Sequence, residues 1–343
     1  MAGDPGLLRG TMVNTGLQAT ITALLTQSGL DAGDLRLTAL DGGGNNRVYA
    51  VDAAGGRYLA KAYFCDAADT RDRLGAEYRF LRYAGKLGLH CVPRALACDL
   101  QQRVGLYEYV HGEKIAAARL TSAHVMAAAQ FLHALNAARH DGHDLPPASE
   151  ACFDLTQHLT TVDRRIARLQ AMVPTDALDA QAQALISEMA AVWQHHRARL
   201  LAEGLPVLLE ADRCISPSDF GFHNVLLRPD GQLCFIDFEY AGWDDPAKMI
   251  GDFFCQPAVP VPFGDFEDFA GQALAWSERA GSLRERARQL LPVMQAKWCC
   301  IMLNEFLPEA ARRRQFADAS ISVDQRKRTQ LDKARQFFQS RLV

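Results

Sequence analysis

Between Ser216 and Gly242 the chain reads SPSDFGFHNVLLRPDGQLCFIDFEYAG, and this stretch concentrates its chemically useful side chains. Asp219, Asn224 and Asp237 offer two carboxylates and an amide oxygen. Such donors suit a hard cation such as Mg²⁺, which takes one or two protein ligands and completes its shell with water and phosphate oxygens. Two apolar runs, Val225 to Leu227 and Leu233 to Ile236, flank Pro229-Asp230-Gly231, where proline presets φ and glycine accepts φ above zero. That pattern predicts a β-hairpin. A hairpin folded about Asp230 sets Asn224 beside Asp237, because paired antiparallel residues lie about 5 Å apart. Asp219 stands five residues before Asn224, in a loop rich in Ser, Pro and Gly that can aim its carboxylate at the same place.

The elements that would position these groups begin upstream. Thr15 to Ser28 carries Leu17, Ile21, Leu24 and Leu25 at helical spacing and ends at Gly29. Leu35 to Leu40 and Arg47 to Asp52 read as strands joined by Asp41-Gly42-Gly43-Gly44-Asn45-Asn46, and consecutive glycines let backbone N–H groups approach a phosphate. Tyr58 to Phe64 is a third strand, apolar on both faces, so Lys61 within it needs an anionic partner. Glu77 supplies one, on the inward stripe of a helix spanning Asp72 to Gly88, since a buried charge costs several kcal/mol unless paired. Val92 to Ala97 and Val104 to Val110 complete the strand set.

The ordered set Gly-loop, Lys61, Glu77, Asp219-x4-Asn224 and Asp237-Phe238-Glu239 resembles the aminoglycoside phosphotransferase and choline kinase families, relatives of protein kinases, over residues 35 to 255. The resemblance implies an α+β, two-lobe kinase-like fold: an N-terminal antiparallel sheet with one key helix in residues 1–110, a hinge at 111–116, and a mainly helical lobe in 117–343. It implies ATP (or GTP) held by Gly43, Gly44, Asn45 and the Lys61–Glu77 pair, with the backbone at Glu108 and Val110 on the base. Mg²⁺ would sit on Asn224 and Asp237, and Asp219 would accept the proton of the acceptor's hydroxyl. One position departs from the pattern: Pro217 stands where these families carry His. That departure motivates a rival reading, a nucleotide-binding pseudokinase that regulates a partner; nucleotidyl transfer to protein is a second rival. Asp-Phe-Glu at 237–239 and the lack of an Ala-Pro-Glu segment favour a small-molecule acceptor over a protein one.

The rest of the chain bounds this reading. At 343 residues, 49% hydrophobic and 22% charged, it is an ordinary globular composition with room for two lobes. A net charge of -3 provides no electrostatic footprint for nucleic acid or an acidic membrane surface. Nine cysteines, an odd number without a C-x-x-C, read as reduced thiols, and no apolar run reaches a membrane-spanning length, so the expected location is the cytoplasm. Met1 to Thr11 reads as disordered. The His pairs at 140/143 and 195/196 read as solvated rather than metal-binding. Helices are expected over 125–139, 153–169, 177–201, 246–254, 266–280, 283–306 and 323–342. Asp252 is expected to brace the catalytic loop. From Leu283 to the C-terminus thirteen Lys and Arg face six Asp and Glu, a surplus that disfavours a polycationic acceptor and hence an aminoglycoside-type antibiotic. Glu239, Trp298, Asn304 and Glu305 are candidate contacts for a sugar-like or other polyhydroxylated acceptor.

Overall fold

A computed structural model describes residues 15–40, 46–64, 71–307 and 322–342, and the chain divides into two compact units. The first comprises residues 1–70 and 93–109. Its helix α1 (Thr15–Gln27) buries Ile21, Leu24 and Leu25, which recur at helical spacing. The helix ends where Gly29 takes φ 71° and Leu30 N–H reaches back to the Leu25 carbonyl at 2.9 Å. Strands β1 (Arg36–Leu40), β2 (Arg47–Ala53), β3 (Gly56–Ala62), β4 (Ala95–Asp99) and β5 (Val104–Glu108) form an antiparallel sheet in the order β1-β2-β3-β5-β4. One face packs Val51, Ala60, Val104 and Leu106 against α1. Lys61 lies mid-sheet, in register with Val48 on one side and Gly105 on the other. The glycine-rich segment with Gly43, Gly44 and Asn45, and residues Met1 to Thr11, lie outside the described residues.

The second unit holds residues 71–92 and 110–343. Helix α2 (Arg73–Lys86), expected from sequence in the N-terminal lobe, groups here instead. The reason is visible in its contacts. Tyr83 Oη donates to the Leu135 carbonyl at 2.7 Å, and Phe80 stacks on Phe238 with centroids 4.4 Å apart. After the short strand β6 (Glu113–Lys114) come the long helices α3 (Ser122–Ala137), α4 (Leu155–Gln170) and α5 (Ala177–Glu203), then strand β7 (Cys214–Ser216). The hairpin β8 (Val225–Leu227) and β9 (Leu233–Phe235) follows, with β6 paired to its outer edge. Strand β10 (Gly242–Asp244) pairs antiparallel with β7. Helices α6 (Pro246–Cys255), α7 (Phe266–Ala273), α8 (Ala280–Leu303) and α9 (Val323–Arg341) complete the unit. The helix expected over 266–280 stops at Ala273, because Ser277 takes over the backbone: its hydroxyl accepts from Arg279 N–H and its carbonyl from Ala280 N–H, turning the chain into α8. The core under the hairpin is aromatic, with Phe220 in contact with both Phe235 and Phe253.

Candidate active site

The hairpin turns at the residues that encode it. Gly231 adopts φ 82° and its N–H donates to the Arg228 carbonyl at 2.9 Å. Register pairs Val225 with Phe235, and Ile236 N–H donates to the Asn224 carbonyl at 2.9 Å, so Asn224 and Asp237 are brought to one end of the ladder. Asp237 itself sits in the left-handed region at φ 70°, a conformation that Asp tolerates better than most residues and that turns the chain sharply out of β9. Phe238 N–H then donates to Glu77 Oε1 at 3.3 Å, which gives the buried carboxylate of α2 a task in fixing the segment behind Asp237.

Asp219 is placed from the opposite side. Asn136, fully buried on α3, brackets Ile215 with both ends of its amide: Oδ1 accepts from Ile215 N–H at 2.7 Å and Nδ2 donates to the Ile215 carbonyl at 3.0 Å. That clamp sets the direction of β7. Beyond it Pro217 is buried, Ser218 takes φ 67°, and Ser218 N–H is held by the Ser216 hydroxyl at 3.0 Å. Two groups then fix Asp219. Asn224 Nδ2 donates to its carbonyl at 3.0 Å, and His223 Nε2 lies 3.2 Å from its Oδ1, the separation of a hydrogen bond donated by the imidazole. Lys114 anchors His223 in turn, donating to its carbonyl at 2.6 Å. The Asp219 side chain remains 38% exposed, so it is oriented yet open to an incoming molecule.

With its amide nitrogen committed to Asp219, Asn224 has Oδ1 to offer a cation, beside the carboxylate of Asp237. Among the described residues no group of three or more His, Cys, Asp or Glu side chains forms a complete metal cage. An amide oxygen plus a carboxylate is the donor set of a magnesium site finished by phosphate oxygens, and the two residues fit that ion.

Beneath the site lies a buried ionic network. Asp245 caps α6 by accepting from Ala247 N–H, and its other oxygen receives His158 Nε2 at 2.9 Å and Arg286 Nη2 at 2.7 Å. Lys248 bridges Asp244 and Asp252, and Lys297 and Trp298 Nε1 also bind Asp252. Burial alone pushes the His158 imidazole down; the hydrogen bond and charge of Asp245 outweigh it and raise the group from 6.5 to about 9.

The model of the phosphotransferase enzyme family matches residues 36–290. The chain belongs to that family. No curated protein matches it by sequence. Solved structures share its fold at low identity. The choline kinase LicA from Streptococcus pneumoniae is 14% identical with a TM-score of 0.59, over 95% of this chain and 99% of that one. An ethanolamine kinase from Plasmodium vivax is 14% identical at TM-score 0.58, covering 96% and 90%. A spectinomycin phosphotransferase bound to ADP and spectinomycin is 12% identical at TM-score 0.59, covering 94% and 98%. The protein kinase-like fold expected from the sequence is the fold observed, and by family the chain is a phosphotransferase.

The structure distributes the remaining candidate residues of the phosphotransferase as follows. Lys61 is 7% exposed in the first unit, its Nζ 5.5 Å from the Tyr63 ring, and Tyr63 Oη meets Tyr107 Oη at 2.7 Å. Glu108 spends its N–H on the Arg94 carbonyl at 2.9 Å, and Val110 is the first residue of the second unit's main span. Two of the four acceptor candidates are buried, and a third is hydrogen-bonded to protein. Glu239 is buried with Arg73 Nε 3.8 Å away, Glu305 is buried at the α9 contact with Arg326 Nε 4.0 Å away, and Asn304 Oδ1 accepts from Arg168 at 2.9 Å. Trp298 is half-buried, with its indole N–H committed to Asp252. Asp252 binds Lys248, Lys297 and Trp298; the residues packed on the Asp219 loop are Phe253, against Phe220 and Phe222, and the α6 cap Gln256, whose Cγ lies 2.8 Å from where a Cβ on Gly221 would stand. His223 is a further residue that holds Asp219. Its spacing of four from Asp219, on the same tight turn, is the signal that ties it to the carboxylate. Asn136 had no such signal, since an amide on an apolar helix face announces a partner without naming it. Among the described residues no helix is long and apolar enough to cross a membrane.

Proposed function

We propose that this phosphotransferase moves the γ-phosphate of ATP to a hydroxyl of a small molecule. The carrying observation is the fixing of Asp219, by His223 and Asn224, at the end of the hairpin that also presents Asp237. Asp219 takes the hydroxyl proton as the acceptor oxygen bonds to the γ-phosphorus and the β–γ bridging bond breaks, leaving ADP. Lys61 and the glycine-rich segment with Gly43, Gly44 and Asn45 bind the phosphates, the backbone at Glu108 and Val110 receives the base, and Glu77 steadies the segment behind Asp237. Asn224 and Asp237 would hold Mg²⁺, which supplies charge neutralisation. The kinases of choline and ethanolamine and the spectinomycin phosphotransferase bound to ADP support an adenine nucleotide and a small acceptor. Of the acceptor candidates, Trp298 and Asn304 are the two that are partly exposed.

The test is a screen of hydroxyl-bearing metabolites for magnesium-dependent ADP release, with mass spectrometry of the product. Transfer that adds one phosphoryl group and vanishes in Asp219→Asn is expected. Nucleotide binding with no turnover on any acceptor, or a nucleotidylated product, overturns the reading.

A further inference from the structure

A groove of about 460 Å³ opens in the second unit along α4, a size proper to a small-molecule site. Three guanidiniums, those of Arg164, Arg165 and Arg168, line it beside the hydroxyls of Thr156 and Thr160, against the single carboxylate of Glu150. Their arrangement follows from the helix: positions one, three and four apart bring all three arginines to neighbouring strips of one surface. Each guanidinium has five N–H donors, and among the described residues each gives one hydrogen bond to protein: Arg164 to the Thr160 carbonyl, Arg165 to Glu150, Arg168 to Asn304. Arg165 Nε is moreover buried and without an acceptor among the described residues. Glu150 is itself held in the left-handed region at φ 55°, an unusual conformation for a glutamate and one of the marks of a shaped site.

The groove is tied to the catalytic segment within the same unit. Ser149 N–H donates to the Tyr240 carbonyl at 3.0 Å, three residues after Asp237. Cys152, which lines the groove, gives its N–H to Asp244 Oδ1 at 3.2 Å, and β10, where Asp244 lies, pairs with β7 and so with the start of the Asp219 loop.

We propose that this groove seats the acceptor and that the acceptor is an anion, a hydroxyl compound bearing a carboxylate or phosphate that Arg164 and Arg168 bind while Arg165 and Glu150 fix the wall. Guanidinium pairs bind such groups through parallel charge-assisted hydrogen bonds. A surface with three cations to one anion repels a choline-like or polyamine acceptor at encounter. The inference rests on the phosphotransferase reading above and narrows its substrate class.

Direct binding separates the two. Calorimetry on the full chain with Mg²⁺ and a non-hydrolysable ATP analogue uses gluconate and glycerol 3-phosphate as probes, glucose and glycerol as their neutral twins, and choline as the cation. At least one anion is expected to bind more tightly than its twin and than choline, and to lose about tenfold or more in the Arg164→Gln/Arg168→Gln protein, whose changes fall on exposed side chains. Asp219→Asn should keep the preference intact. No anion outbinding its twin, choline binding best, or a preference that survives the double glutamine variant overturns the inference. Persistent transfer activity in Asp219→Asn would instead defeat the proposed mechanism and leave the binding result standing.

Discussion

Asp219 keeps only part of its surface open, and both neighbours that hold it come from the turn that leads into the hairpin. Replacing the carboxylate by an amide preserves that shape and removes the proposed proton acceptor. Asp219→Asn is therefore expected to lower kcat by about 10²- to 10⁴-fold while leaving Mg·ATP affinity unchanged; steady-state kinetics beside calorimetry decide it, and near wild-type turnover would dismiss Asp219 as the base. In the proposed mechanism Asp237 acts on the other reactant. Its removal in Asp237→Ala should abolish the magnesium dependence of ATP binding, since Asn224 would be the one remaining ligand of the pair. Titrations with and without Mg²⁺ that give the same ratio of affinities in variant and wild type would contradict the assignment.

At the scale of elements, the site depends on two short strands that bring distant segments to register. Gly242 on β10 shows how tight this is: a Cβ there would stand 2.1 Å from the Pro146 carbonyl oxygen and 2.7 Å from Ala148 N, both backbone atoms that cannot swing aside. Gly242→Ala should cost about 1–3 kcal/mol and depress activity with it, as β10 is pushed off β7; an unchanged melting temperature would show the segment to be more pliant than drawn here. Such strands of three residues were not legible in the sequence, because they hold no periodic pattern of their own and exist through pairing with partners about thirty residues away. The hairpin was legible, for Pro229-Asp230-Gly231 encodes its turn locally. So were the long helices, whose apolar spacing sums over many residues. The placement of α2 was not: spacing put Glu77 on its inward stripe but did not show that Phe80 and Tyr83 would meet Phe238 and α3. The surroundings of the acceptor candidates were not legible either, since Glu305 and Asn304 advertise polarity without naming Arg326 and Arg168 as their partners.

At the scale of the molecule, the second unit is organised over a buried ionic network, and that makes its stability depend on pH in a way fixed by His158. Asp245 accepts from both His158 and Arg286, with all three side chains at most 3% exposed, so the imidazole is held protonated up to about 9, against 6.5 for an ordinary histidine. A group whose pKa is raised on folding contributes fully below its unfolded value, and the contribution is lost as pH climbs through the folded one. The melting temperature is thus expected to fall between about pH 6.5 and about pH 9, with about 3 kcal/mol at stake, the scale that such a shift carries. His158→Gln keeps a hydrogen-bond donor without the titration, so its melting temperature should start lower and stay flat across that window. Asp245 runs the other way: burial raises its pKa, but the hydrogen bond and charge of His158 together with Arg286 hold it below the ordinary carboxylate value. Its contribution is present above that ordinary value and fades only in acid, outside the window where His158 acts. Thermal melts of both proteins from pH 6 to pH 10 decide the matter. Parallel curves for wild type and His158→Gln would mean that the imidazole is neutral in the folded protein and that Arg286 alone balances Asp245.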